Sequence, residues 1–152
     1  MSLDLKRQVV AQLIETSRLL RNYIDHRAKS RGTTRAQWIV LFRLRQQEGL
    51  SQVDLADVLE LQPISLVRLL DRLVEQGLLE RCHDPRDRRA NRLFLTAAGR
   101  QLVDDLDDLR DAISTDVLQD LTTEPLETTL DALRHIKERI KGIADTHGVA
   151  AK

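Results

Sequence analysis

The chain has a single cysteine, so it can form neither an internal disulfide nor a cysteine-based zinc site, and its four histidines are scattered at 26, 83, 135 and 147. Neither a metal nor another cofactor is expected. It has no glycine-rich phosphate loop, no paired His/Glu metal spacing and no nucleophile elbow, which leaves an enzymatic reading without a chemical constellation. No apolar run approaches the roughly 18 residues of a membrane span, and the N-terminus has no signal-peptide core, so no membrane partner and a cytoplasmic location are expected. Aromatic residues make up only 3% of the chain against 41% hydrophobic, with leucine prominent, which is the composition of a soluble, mainly helical protein. A length of 152 residues suits one domain, or a small domain with an oligomerisation extension.

Net charge is also lacking, since the formal total is zero. Spread evenly, that would argue against a nucleic-acid partner, but the charge is segregated. Residues 1–46 hold ten Lys/Arg against three Asp/Glu, a balance of +7, and residues 62–100 hold eight against five, or +3. Residues 101–131 hold one against ten, or −9. Such separation lets a basic end approach DNA while an acidic one faces away.

What is present centres on residues 62–96. Pro63 at a first helical position and Gly77 just past an end bracket a helix over 63–76, with Leu66, Leu69, Leu70, Leu73 and Val74 on its apolar face. Gln62, Ser65, Arg68 and Arg72 fall largely outside that face. Upstream, Ser51 caps a short helix carrying Leu55, Ala56, Val58 and Leu59, with Asp54 three residues after the cap. Two short helices joined by Glu60-Leu61-Gln62 make a helix-turn-helix, whose second helix presents its N-terminal side chains to the major groove. Past Gly77, two strands are expected, over 78–83 and 92–96, around a polar loop. Five arginines between 81 and 92, against Asp84 and Asp87, make that hairpin a basic wing suited to phosphates and a narrow minor groove. The bland alternative, a solvated loop that touches nothing, is outweighed by the adjoining helix-turn-helix.

The flanks are helical. A first helix runs from Leu3 to about Lys29, and Thr34 caps a second that carries Trp38, Ile39, Leu41, Phe42 and Leu44. Leu50 is placed to add a short edge strand to the wing. Thr96 caps a helix to about Leu121 with a strongly acidic outer face, and Pro125 opens a last one bearing Leu126, Leu130, Leu133, Ile136, Ile140 and Ile143. These terminal stripes exceed what a small winged core can cover, so a homodimer is expected, with an intramolecular bundle as the alternative.

Leu78-Leu79-Glu80-Arg81, Asp84-Pro85-Arg86-Asp87-Arg88-Arg89 and Leu93-Phe94-Leu95-Thr96-Ala97-Ala98-Gly99 together resemble the wing signature of MarR-type winged-helix transcriptional regulators. Ile24-Asp25-His26-Arg27, Trp38 and Ser65-Leu66-Val67-Arg68 further resemble the SlyA-like branch. The likeness runs by motif from about Arg18 to Gly99, and beyond that by helix pattern alone. One departure is that the Gln62-Pro63 pair stands one position earlier than in that branch, so base preferences are not carried over. The resemblance implies a mainly α fold with a small β-wing, and dimerisation through interleaved terminal helices. The expected plan is an N-terminal dimerisation helix (1–32), a winged helix-turn-helix (33–96), C-terminal dimerisation helices (97–147) and a flexible tail (148–152).

The expected partner is double-stranded DNA with a pseudo-palindromic operator. Gln62, Pro63, Ser65 and Arg68 face the groove, where glutamine or arginine can make bidentate contacts to base edges. Ser51, Gln52 and Arg72 suit phosphates, with a surface ion pair to Asp71 or Glu75 as the alternative for Arg72. In the wing, Arg86, Arg88 and Arg89 carry the charge; by resemblance Arg89 enters the minor groove and Asp87 organises the loop. The resemblance also implies a small phenolic or aromatic carboxylate ligand near Arg18, His26 and Trp38. Trp38 as plain core is the alternative there. Cys82, beside Arg81, is a candidate redox switch or an inert thiol. A protein-interaction adaptor on the same fold is the competing function, separable because it would lack salt-sensitive DNA affinity.

Overall fold

The computed structural model describes residues 2–148 and, at 88, 89 and 147, the backbone alone. The side chains of Arg88 and Arg89, and most of the tail expected over 148–152, therefore lie outside the described residues. The order of elements is α1 (Leu3–Lys29), α2 (Arg35–Gln46), α3 (Gln52–Leu59), α4 (Pro63–Glu75), β1 (Leu79–Asp84), β2 (Asp87–Leu95), α5 (Ala97–Leu118) and α6 (Thr123–His147). Residues 1–110 form one compact unit and residues 111–152 a second.

Short polar side chains set most helix starts. The Ser2, Thr34 and Ser51 hydroxyl oxygens accept from the amides of Asp4, Gln37 and Asp54 at 3.2, 3.1 and 3.1 Å. Each satisfies an amide that has no partner inside its own helix. Between α3 and α4 the chain turns at Glu60, a non-glycine residue at φ 54°, and Pro63 then opens α4. A left-handed residue with a Cβ costs about 1–2 kcal/mol, offset here by the packing of the two helices it joins.

One apolar core holds the first unit together. Val40, Leu41 and Leu44 of α2, Leu55 and Ala56 of α3, Leu66, Leu70 and Leu73 of α4, Leu79, Leu93 and Leu95 of the strands, and Val103 of α5 form a buried cluster with Leu50. Each fully buried leucine is worth roughly 1.5–3 kcal/mol. In α2 the buried face is Trp38, Val40, Leu41 and Leu44, while Ile39 stays 44% exposed.

The hairpin differs from expectation in its loop. Instead of a polar loop over 84–91, Asp84 pairs with Asp87 across a turn made by Pro85 and Arg86, and β2 begins at once. Asp84 Oδ1 accepts from the Arg86 amide at 2.9 Å, and proline pre-sets the turn's first φ. The excess length is absorbed as a register shift, because His83 pairs with Asn91 while the next residue pairs with Asp87. The edge strand expected at Leu50 is present as a Ser51–Arg92 bridge, with Gly49 N donating to Leu93 O at 2.9 Å and Leu93 N to Leu50 O at 3.0 Å.

Thr96 joins the wing to α4 and α5. Its amide donates to Leu78 O at 3.2 Å. Its hydroxyl donates to Gly77 O at 2.6 Å and accepts from Gly99 N at 3.0 Å. Gly99 has to be glycine because a Cβ there would overlap the Leu78 carbonyl oxygen.

Candidate nucleic-acid interface

Leu66, Leu70 and Leu73 fix the inward side of α4. At about 100° per residue the opposite direction falls between Ile64 and Arg68, one turn apart on the same outward line. Gln62, Pro63, Ser65, Arg68 and Arg72 are all exposed. Asp71, one of the two acids adjacent to Arg72, is engaged by Arg81 instead, at 2.7 Å. Arg68 and Arg72 make no ion pair with a described residue, so both guanidinium groups face solvent ready for an anionic partner.

Arg81 is a bracket rather than a free wing charge. From β1 it donates through Nε to Gln52 Oε1 of α3 at 2.9 Å and through a terminal nitrogen to Asp71 of α4, and its side chain is only 25% exposed. It thereby ties both helices of the helix-turn-helix to the base of the wing. Gln52 keeps its amide nitrogen as a donor, whereas the Ser51 hydroxyl is half-buried and occupied with capping. Proximity in sequence to the basic loop hid the structural role of Arg81.

At the wing tip Arg86 is exposed. The carboxylate that organises the turn is Asp84, which binds the Arg86 amide and pairs with Arg92 Nε at 3.1 Å. Its pKa is lowered, first by the Arg86 backbone hydrogen bond and then by Arg92, with partial desolvation working the other way. Asp87 at the start of β2 is exposed but not without a partner. Cys82 is an exposed free thiol. Among the described residues no cluster of His, Cys, Asp or Glu is placed to hold a metal, and no helix is long and apolar enough to cross a membrane.

The three residues tied to a small ligand do not share one cavity within this chain. Trp38 lines an apolar cavity of about 440 Å³ together with Ile24, Ile39, Phe42 and the guanidinium-bearing Arg35, Arg43 and Arg110. Arg18 lines a separate, more polar cavity with Asp25 and Arg35, and His26 is exposed in the last turn of α1. Arg35 is shared by both cavities and pairs with Asp25 at 3.2 Å. The Phe42 ring lies between the guanidinium groups of Arg45 and Arg110, 4.9 and 5.0 Å from its centroid. Arg45 and Arg110 are also ion-paired to Asp107 of α5. Arg43, half-buried, has no carboxylate partner among the described residues. Arg43 reaches this cavity from α2 itself, one turn after Ile39, while Arg110 of α5 joins it through helix packing, which its position in the sequence does not signal.

Outside the core, long apolar stripes lie open. The 27 residues of α1 bury only Ala28, and Leu3, Leu5, Val9, Val10 and Ile14 are exposed. On α6, Leu130, Leu133, Ile140 and Ile143 are exposed, and none of its described side chains is buried.

Residues 33–90 match the sequence model of the MarR family. A cysteine-to-serine variant of MarR from Escherichia coli is similar at a TM-score of 0.74 and 26% identity, over 83% of this chain and 94% of that one. Such a variant complexed with operator DNA gives a TM-score of 0.75 at 25% identity, over 90% of this chain and 99% of that one. A further MarR family transcription regulator shares the fold at a TM-score of 0.87 and 19% identity, over 93% and 94% of the two chains.

Proposed function

We propose that this chain, whose residues 33–90 match the MarR family model, is a dimeric, sequence-specific DNA-binding transcriptional regulator of that family. The observation that carries the reading is the solvent-facing side of α4, with Ser65, Arg68 and Arg72 exposed, and Gln62 exposed just before it, beside an arginine-bearing hairpin, in a fold that a MarR adopts on operator DNA. Helix α4 enters the major groove, where Gln62, Ser65 and Arg68 read base edges and Pro63 sets the helix start. Ser51, Gln52 and Arg72 lie along the phosphates. The wing reaches the minor groove through Arg86, Arg88 and Arg89, with Asp87 holding its flank.

Dimerisation follows from the open stripes of α1 and α6, since isolated helices with exposed apolar faces are marginal in water. A two-fold dimer reads half-sites centred about 34 to 36 Å apart. A small aromatic carboxylate regulates binding from the Trp38 cavity, where the indole is a flat wall and Arg43 or Arg110 a forked donor. Arg18, which lines a separate cavity, and the exposed His26 are not among the residues that line the Trp38 cavity.

The test separates base readout from phosphate contact. Arg68→Ala should cost roughly 1–3 kcal/mol of operator affinity and relax preference at one base pair per half-site. Arg89→Ala should weaken binding to many sequences and lower the slope of log affinity against log salt by about 1. Unchanged affinity and specificity in both variants would overturn the groove assignments, and a monomer by sedimentation that binds with full affinity would overturn the dimer.

A further inference from the structure

We infer that Ile64 reads the C5-methyl group of a thymine, one per half-site, next to the base pair contacted by Arg68; this rests on the assignment of α4 as the DNA-reading helix. Ile64 is 67% exposed, the second residue of α4, and lies within about 30° of the direction opposite the buried leucines. The rest of that outward line is charged: Arg68, then Asp71 and Glu75. An isoleucine at its head gains nothing from water, and its β-branch is slightly unfavourable to the helix, so local stability gives no reason for it.

The first residues of a recognition helix reach base edges. There the group that marks thymine is a methyl, which is matched by an apolar side chain. A second copy of the chain is a poor occupant, because the apolar surface around Ile64 is small and is bordered by Arg68, whereas α1 and α6 expose much longer apolar stripes. The apolar character continues sideways through Val67, 39% exposed, to a cleft of about 140 Å³ walled by Val53, Pro63 and Val67.

The experiment takes the full-length protein, selects tight-binding duplexes from a random library, and replaces each thymine in turn by deoxyuridine, which removes only the methyl. Wild type should lose about fourfold in affinity at one thymine per half-site, the worth of one buried methyl-sized group. Ile64→Ala should bind the thymine and deoxyuridine duplexes equally at that step. The variant should fold, since the position is exposed and alanine is the better helix former, and an unchanged Tm and far-ultraviolet circular dichroism would confirm it. Equal binding of wild type to every deoxyuridine duplex would overturn the inference alone, as would a methyl penalty that persists in Ile64→Ala. Failure to select any specific duplex would overturn both this inference and the DNA-reading assignment.

Discussion

Gly99 and Gly142 lie inside α5 and α6, and replacing each by alanine should change stability with opposite sign. In a helix interior alanine is favoured over glycine by about 1 kcal/mol. At Gly142 a new Cβ meets nothing within 4 Å, and the residue lies opposite the stripe of Leu133, Ile140 and Ile143. Gly142→Ala should therefore stabilise by about 0.5–1 kcal/mol. At Gly99 the same Cβ would overlap the Leu78 carbonyl oxygen. That atom is backbone and cannot rotate aside, and it accepts the Thr96 amide at 3.2 Å. Relieving the overlap moves the start of α5 away from the junction of α4 and β1, which strains the Thr96 bonds to Gly77 and Gly99. Overpacking costs about 1–3 kcal/mol, and each weakened hydrogen bond adds up to about 1 kcal/mol. With the propensity gain subtracted, Gly99→Ala should lose roughly 1–3 kcal/mol net. Urea unfolding at one fixed protein concentration would show a lower midpoint at unchanged slope. A Gly99→Ala protein as stable as wild type would refute the claim that α5 is anchored on Leu78.

The wing turn and the Trp38 cavity give two further expectations. Because the Asp84 pKa is lower in the folded chain, its carboxylate contributes stability at every pH above its unfolded value and loses it only as pH falls through the folded one. Carboxyl and amide resonances of the wing, followed from neutral pH into acid, should hold through the ordinary carboxylate range; an Asp84 midpoint at or above 3.8 would contradict the turn. Salicylate should quench Trp38 saturably, and Arg43→Ala should weaken that binding about tenfold or more, given roughly 1.5–3 kcal/mol for a charge-assisted hydrogen bond. The same concentrations should release operator DNA; quenching without release would refute regulation, and a larger loss in Arg18→Ala than in Arg43→Ala would move the ligand to the α1 side.

How far the sequence could be read depended on whether a feature was periodic or three-dimensional. Helix starts were legible because Ser51, Thr34 and Pro63 act on their own next few residues, and the buried leucines of α4 because their spacing is helical. The wing was legible in type but not in detail: Asp84 closes the turn so tightly that the expected loop becomes strand. The cavity was least legible, since Arg110 of α5 lies far along the chain from α2 and meets Trp38 only through packing.

The arginines of the hairpin do not all play one part. Five arginines between 81 and 92, set against Asp84 and Asp87, mark the hairpin as a basic wing, and of these Arg81 is bound to Asp71 and Gln52, and Arg92 to Asp84 and the Gly49 carbonyl. Those two guanidinium groups neutralise the chain's own acids and brace the wing against α3, α4 and the α2–α3 link. Counterion release on DNA binding scales with the charges that reach phosphates, not with composition. The wing's share of the salt slope should accordingly follow Arg86, Arg88 and Arg89. Removing Arg81 or Arg92 should act mainly by letting the wing tilt against α4, with much less effect on the slope itself.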